Sequence, residues 1–209
     1  MADWVTISAL ATAGGTTVLA IATFASTRSA NRSARIAERA MLAGIRPVLL
    51  TARPEDPPEK ITWTDRHVTK ATGGRGMFET EDNVFYLSAA LRNVGTGLAV
   101  LHGWRVTRDV VAECHGADLS EYRRLTRDLY IAPGDNGFWQ GAVREIDDPD
   151  REEIRDLFVH RERFAVDLLY GDQEGGQRTV TRFGFTPWDD DGWLCMTARH
   201  WFIDRDDPR

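Results

Sequence analysis

The feature that most constrains this chain is its first segment, because no charged residue occurs between Trp4 and Thr27. A helix of these 24 residues would be about 36 Å long, which exceeds the roughly 30 Å of a bilayer's hydrocarbon core. Its six threonines and two serines can bond to the carbonyl group four residues earlier, which makes them tolerable in lipid. We therefore predict a transmembrane anchor over residues 1–27, and the alternative is a helix of a soluble domain. The residues expected to contact lipid include Trp4, Leu10, Gly14, Gly15 and Phe24.

The charges that flank this span predict its orientation. Four arginines follow it directly, and no lysine or arginine precedes it. The positive-inside rule then places the N-terminus outside and the rest of the chain in the cytoplasm, at the inner (plasma) membrane. A cleaved signal peptide fits less well, since residues 1–3 are not basic. The basic residues expected at the membrane surface are Arg28, Arg32, Arg35 and Arg39.

The helix is predicted to continue past the membrane over residues 28–46. No Gly or Pro occurs between Ser26 and Ala43, and Gly44 and Pro47 then supply a stop signal. Small residues recur on one face at spacings of four and three, opposite a stripe of arginines. The small face could pair with a second copy of the chain, and the arginine face could lie against anionic lipid.

Residues 47–209 show the alternation of apolar and polar residues that is typical of β-strands. Eight short strands are separated by turn sequences, and alternating βαβ units are absent. We therefore predict a mainly β body, an antiparallel Ig-like β-sandwich. The predicted strands are Pro47–Arg53, Val84–Leu91, Leu98–Val106, Leu129–Ala132, Phe138–Val143, Phe164–Tyr170, Thr179–Phe185 and Trp193–Phe202.

Other segments of the body are predicted to be helices, linkers or loops. Asp118 and Glu121 have the spacing of a capping box, so a short helix with Leu119, Tyr122 and Leu125 on one face is expected. A second helix is expected after Asp148 and Pro149, with Ile154, Leu157 and Phe158 facing inward. Prolines 54, 57 and 58 predict an extended linker, and glycines 73, 74 and 76 predict a loop.

Composition and motifs exclude several functions. Residues 51–209 carry 21 basic and 30 acidic side chains, so nucleic acid is not an expected partner. The sequence has no P-loop, no G-x-S-x-G, no H-E-x-x-H and no C-x-x-C. We therefore expect a protein that is not an enzyme, with no catalytic residues, cofactor or metal site.

A few weaker patterns leave alternatives open. Cys114 and His115 could converge with His102, Cys195 or His200, although catalytic partners are usually distant in sequence. The acidic clusters at residues 147–150 and 189–191 are more typical of a helix cap and a turn than of a calcium loop. The six tryptophans of the body indicate core packing or an aromatic docking patch.

These observations favour a membrane-anchored module that binds a protein partner or scaffolds a complex. The alternative is an enzyme or small-ligand-binding module whose His, Cys and Asp residues converge from separate loops. Self-association through the N-terminal helix is a further alternative that the sequence leaves open, although the short stripe of small residues does not favour it.

The order of motifs resembles a group of uncharacterised actinobacterial proteins with one N-terminal membrane helix and a small β-sandwich. The resemblance rests on the segments Trp4–Leu10, Ile45–Pro47, Leu91–Ala99, Arg124–Tyr130 and Tyr170–Thr179. It covers nearly the whole chain, and it implies an anchor and a sandwich but no activity or functional residues.

Overall fold

The computed structural model describes residues 3–111, 118–189 and 192–204, and it divides the chain into two compact units. The first unit is Met1–Gly44 and the second, which we call the body, is Ile45–Arg209.

The first unit is one continuous helix, α1 (Trp4–Gly44). Its 41 residues span about 60 Å, so the predicted extension beyond the charge-free segment is confirmed. Thr12, Thr16 and Thr23 each donate to the carbonyl group four residues earlier, at 2.8 Å, as their positions predict. Within the described part of the chain, α1 is the one helix long and apolar enough to cross a membrane, and its apolar window is not buried by protein.

The body is mainly β, as predicted. Its strands are β1 (Leu49–Thr51), β2 (Glu59–Thr62), β3 (Val68–Ala71), β4 (Arg75–Glu81), β5 (Val84–Asn93), β6 (Ala99–Thr107), β7 (Arg123–Ile131), β8 (Asn136–Val143), β9 (Phe164–Gly171), β10 (Thr179–Trp188) and β11 (Gly192–Phe202). One short helix, α2 (Arg151–Val159), lies between β8 and β9. Each of the eight predicted strands is present.

Nine of these strands form one curled antiparallel sheet in the order β1-β5-β4-β11-β10-β9-β6-β7, and β8 pairs with β5 on the edge opposite β1 and β4. Strands β2 and β3 form a separate hairpin. Strands β4 and β11 pair through only two residues of each strand, and this shortest ladder divides the curled sheet into two halves. The two halves enclose a core that includes Leu87 of β5 and Val166 of β9, both fully buried. The specific Ig-like arrangement of the sandwich stays a prediction.

The alternation of apolar residues predicts the core face correctly. Phe85, Leu87 and Leu91 of β5 all lie in the main core. Strand β9 is buried on both faces, because Leu169 on its other face packs with Tyr122 and other residues in a second cluster. The hairpin β2–β3 likewise covers the outer face of β5.

Three strands occur where no strand was predicted: β2 and β3 lie between the proline linker and the glycine loop, and β4 begins within that loop. Strands β2 and β3 pair with each other, and β4 pairs with β5. The glycine at position 76 is needed for close packing and not for a loop, since a Cβ atom there would lie 2.3 Å from Cε1 of Phe185. A glycine that is required for close packing within a strand is easily mistaken for a loop residue when only the sequence is known.

Both predicted helices of the body need correction. The first is a single 3-10 turn, Leu119–Glu121, and Leu125 belongs to β7 because residues on both sides of it pair with β6. The second is confirmed as α2, but it begins at Arg151, so Asp148 does not cap it.

A turn over residues 93–97 holds the beginning of the body. The buried Asn93 accepts hydrogen bonds from the N–H groups of Val48 and Gly95, and it donates to the carbonyl groups of Gly97 and Ile131. Gly97 is required here, because a Cβ atom would lie 1.7 Å from the carbonyl oxygen of Ile45. The Asn-Val-Gly-Thr-Gly sequence is therefore a clamp for residues 45–48.

Candidate functional site

A polar cleft of about 650 Å³ lies on the body. Its walls come from β6, the 3-10 turn, the start of β7 and the segment before α2, and β10 contributes one arginine. Its charged lining residues are Arg105, Glu121, Arg123, Asp148, Asp150 and Arg182.

A buried carboxylate lies beneath the cleft. Asp167 of β9 is opposite Arg105 of β6 and Arg182 of β10 in the strand register. Arg182 donates to it through Nε at 2.6 Å and Nη2 at 2.8 Å, and Arg105 donates through Nε and Nη2, both at 3.1 Å. The two guanidinium groups balance the buried charge, which would otherwise be costly.

Arg123, at the start of β7, also lines the cleft. Its guanidinium group binds Asp148 and also donates to Asp150, at 2.6 Å from Nη2. The hydrogen bond from Arg123 lowers the pKa of Asp148, and the same pair raises the pKa of Arg123. Asp148 also accepts the backbone N–H of Asp150 at 3.0 Å, so the segment before α2 is fixed to the start of β7.

Arg105 and Arg123 share one arrangement. Each binds one shielded carboxylate, namely Asp167 or Asp148, whose side chains are 0% and 10% exposed. Each also binds one carboxylate at the surface, Glu121 or Asp150. The inner pairs position the guanidinium groups, while the outer pairs are in water, where ion pairs contribute little stability.

A second pocket of about 100 Å³ adjoins Arg123, which lines both spaces. It lies between β7 and β8, and its wall includes Trp63, Trp104, Arg124 and Gln140. In the part of the chain that the structure describes, β7 pairs with β6 and β8 pairs with β5, so the facing edges of β7 and β8 form no ladder.

The His and Cys residues singled out from sequence do not converge where the structure describes them. Cys195 lies in the core, where burial raises the pKa of its thiol. His200 bonds to Thr181 through Nδ1 at 3.0 Å. His102, on β6, is half-buried. Its pKa is lowered mainly because burial disfavours the charged ring, and the positive charge of Arg178 lowers it further.

Three sequence expectations fall on undescribed residues. Cys114 and His115 lie in the segment 112–117, and two residues of the acidic cluster 189–191 lie at 190–191, all outside the described ranges. Among the described residues, no group of three or more His, Cys, Asp or Glu side chains is placed to hold a metal ion.

Most tryptophans of the body are core residues. Trp63, Trp104, Trp139, Trp193 and Trp201 are buried, and Trp188 is half-exposed. The rings of Trp63, Trp104, Trp139 and Trp193 contact other aromatic rings, and the centroids of Trp104 and Trp139 are 5.4 Å apart. An aromatic docking patch therefore does not explain the high tryptophan count.

The residues assigned to the membrane anchor all lie on α1. Trp4, Leu10 and Phe24 are exposed, and the glycines at 14 and 15 have open space around them. The arginines at 28, 32, 35 and 39 are also exposed on the same helix.

Sequence reasoning missed the residues of the cleft. A charged residue in a strand of alternating polarity is normally predicted to face solvent. The sequence pattern therefore did not indicate that Arg105 and Arg182 form a site. Asp167 did carry a signal, since it is the one charge in the apolar run Phe164–Gly171. Such a charge inside a buried strand indicates an ionic partner on a neighbouring strand.

Comparison with known proteins adds no assignment: no family model matches this sequence, and no curated protein or solved structure resembles it significantly.

Proposed function

We propose that this protein is a membrane-anchored module that binds a protein partner at the cleft of Arg105 and Arg123. The observation that supports this is the pair of arginines. A shielded carboxylate fixes each guanidinium group, which also binds a second carboxylate at the surface of the protein. Arginine is enriched in protein interfaces, and pre-positioned charges determine which partner is accepted. The cleft is open and charged, which suits recognition of a surface better than enclosure of a substrate.

The membrane location is part of the same proposal. We place α1 across the inner membrane, with the body in the cytoplasm, on the basis of its exposed apolar residues and the arginines that follow them. The resemblance to actinobacterial proteins with one membrane helix agrees with this placement. The net negative charge of residues 51–209 disfavours nucleic acid as the partner.

The helix beyond the membrane has two proposed uses. The arginines nearest the span would lie close to anionic headgroups, where each contributes up to about 1 kcal/mol. The small-residue face offers a surface for pairing with a second copy. We favour lipid contact, because the small face has no Leu or Ile in its seam.

A charge-reversal experiment tests the cleft. Glu121→Lys places a positive charge at the exposed wall, and Glu174→Lys makes the same change in an exposed loop of the body. We expect a partner cross-linked to the wild-type chain in membranes to be lost with Glu121→Lys and kept with Glu174→Lys. Equal recovery with both folded variants would exclude the cleft as the binding surface.

A second candidate function is that of a small-ligand-binding module. One observation favours it: Gln140, which is 3% exposed, lines the pocket between β7 and β8, and no residue that the structure describes pairs with its amide donor. Binding of a purified small molecule to the wild-type chain, with no macromolecular partner, would favour this function over the first.

A further inference from the structure

The pocket between β7 and β8 is small and has both apolar and polar walls. Its volume of about 100 Å³ is room for a few water molecules or for the head of one small polar group. Trp63 and Trp104 supply apolar walls, and Arg123, Arg124, Thr126 and Gln140 supply polar groups. The indole Nε1 of Trp63 is already used, since it donates to the carbonyl oxygen of Gly141 at 3.3 Å.

The orientation of the Gln140 amide is fixed by a neighbour. Its Oε1 accepts a hydrogen bond from Nη2 of Arg127 at 3.1 Å, and a guanidinium group can only donate. The amide nitrogen, Nε2, is therefore the group left for the pocket, and it is buried with no hydrogen-bond partner among the described residues. A buried donor in this state calls for an acceptor, and Gln140 lines a pocket which an acceptor can enter.

The charge of the pocket determines the kind of acceptor. Arg124 lines it, and in the described ranges this side chain takes part in no ion pair, whereas Arg123 is held by Asp148 and Asp150. A carboxylate has two acceptor oxygens, which match one amide donor and one guanidinium group.

We propose that the pocket between β7 and β8 binds a carboxylate group, with Gln140 Nε2 and Arg124 as its donors. The carboxylate comes either from a small free anion or from the C-terminus of a peptide that enters between the two unpaired strand edges. The site does not depend on the partner proposed for the cleft, because its donors belong to the pocket alone.

Acetate is the probe for the first test. The full chain in detergent micelles is titrated with sodium acetate against sodium chloride of equal ionic strength, and saturation-transfer NMR reports on the acetate methyl group. Gln140→Glu keeps the oxygen that faces Arg127 and replaces the donor by a second oxygen. The matched control, Gln173→Glu, makes the same charge change at an exposed loop position. We expect Gln140→Glu to weaken acetate binding about tenfold or more and Gln173→Glu to leave it unchanged.

A second variant keeps the test decisive if Gln140→Glu does not fold. Arg124 is exposed, so Arg124→Gln should fold and still weaken acetate binding.

A short peptide with a free C-terminus, compared with its amidated form, then distinguishes the two sources of the carboxylate. Tighter binding of the free-terminus peptide than of acetate assigns the site to a chain terminus, and binding of acetate alone assigns it to a small anion. Acetate that binds no better than chloride, together with no difference between the peptides, overturns the proposal, as does unchanged acetate binding in both folded variants.

Discussion

Asp167 and Arg182 face each other from adjacent strands, and the carboxylate receives Nε–H at 2.6 Å and Nη2–H at 2.8 Å from one guanidinium group. The two side chains are 0% and 2% exposed. Because Arg105 binds the same carboxylate from the other side, one buried charge joins β6, β9 and β10 beneath the cleft. The shared carboxylate therefore fixes these three strands relative to one another beneath the cleft.

Removal of the Asp167 carboxylate should strongly destabilise the body. Asp167→Ala leaves two guanidinium groups without their shared partner, and we expect the free energy of unfolding to fall by about 3–5 kcal/mol. Chemical denaturation of the full chain in detergent, followed by tryptophan fluorescence, measures this. Asp128→Ala, at an exposed position of β7, is the control and should cost less than about 0.5 kcal/mol. Similar losses in the two variants would mean that the buried pair does not support the strands.

Acid should destabilise the body through two paired carboxylates. Hydrogen bonds from Arg123 and Arg178 lower the pKa values of Asp148 and Asp204 in the folded state. A lowered pKa gives stability that is present above the unfolded value of about 4 and is lost as pH falls through the folded value. The denaturation midpoint should therefore decline below about pH 4, and less steeply in Asp148→Asn. The same slope in the variant and the wild type would refute the role of the Arg123 pair.

The clamp at residues 93–97 should tolerate no side chain at Gly97. A Cβ atom there would meet the Ile45 carbonyl group, and we expect Gly97→Ala to cost about 1–3 kcal/mol. Gly176→Ala is the matched control, because its Cβ atom would be 3.8 Å from the Asp172 carboxylate, an ordinary contact. Thermal unfolding compares the two, and equal midpoints would show that residues 45–48 can move away at no cost.

The orientation across the membrane can be read from one engineered thiol. In a Cys114→Ser background, Gln173→Cys places a thiol at an exposed position of the body. An impermeant thiol reagent should label it only after the cells are lysed, if the body is cytoplasmic. Cys195 serves as an internal control, since it is buried and should react only after unfolding. Labelling of Gln173→Cys in intact cells would reverse the orientation.

The parts of the fold that depend on local pattern could be predicted from the sequence. The charge-free run predicted a long N-terminal helix, and the alternation in Phe85, Leu87 and Leu91 predicted the core face of β5. Strands β2 and β3 are four residues each, and their polar sequences carry too little alternation to be recognised. Gly76 misled the prediction because its small size serves packing against Phe185.

Apart from the buried charge of Asp167, the candidate site could not be predicted, because it depends on pairing between distant strands. Arg105, Asp167 and Arg182 are separated by 62 and 15 positions, and only the strand order brings them together. The unused donor of Gln140 is equally invisible in sequence, since it is identified only by the bond that Oε1 of Gln140 accepts from Arg127 on β7. Sequence motifs describe local chemistry, whereas this site is assembled by sheet topology.

Photo-crosslinking in native membranes tests the central claim, a membrane-anchored module that binds a partner at its cleft, most directly. A photoreactive residue at Ser120, exposed at the cleft wall, is compared with one at Gln173, exposed in the β9–β10 loop. We predict that carbonate-washed membranes retain both chains and that the Ser120 probe alone gives a discrete cross-linked partner. Loss of the chains from the washed membranes, or the same products from both positions, would contradict the account.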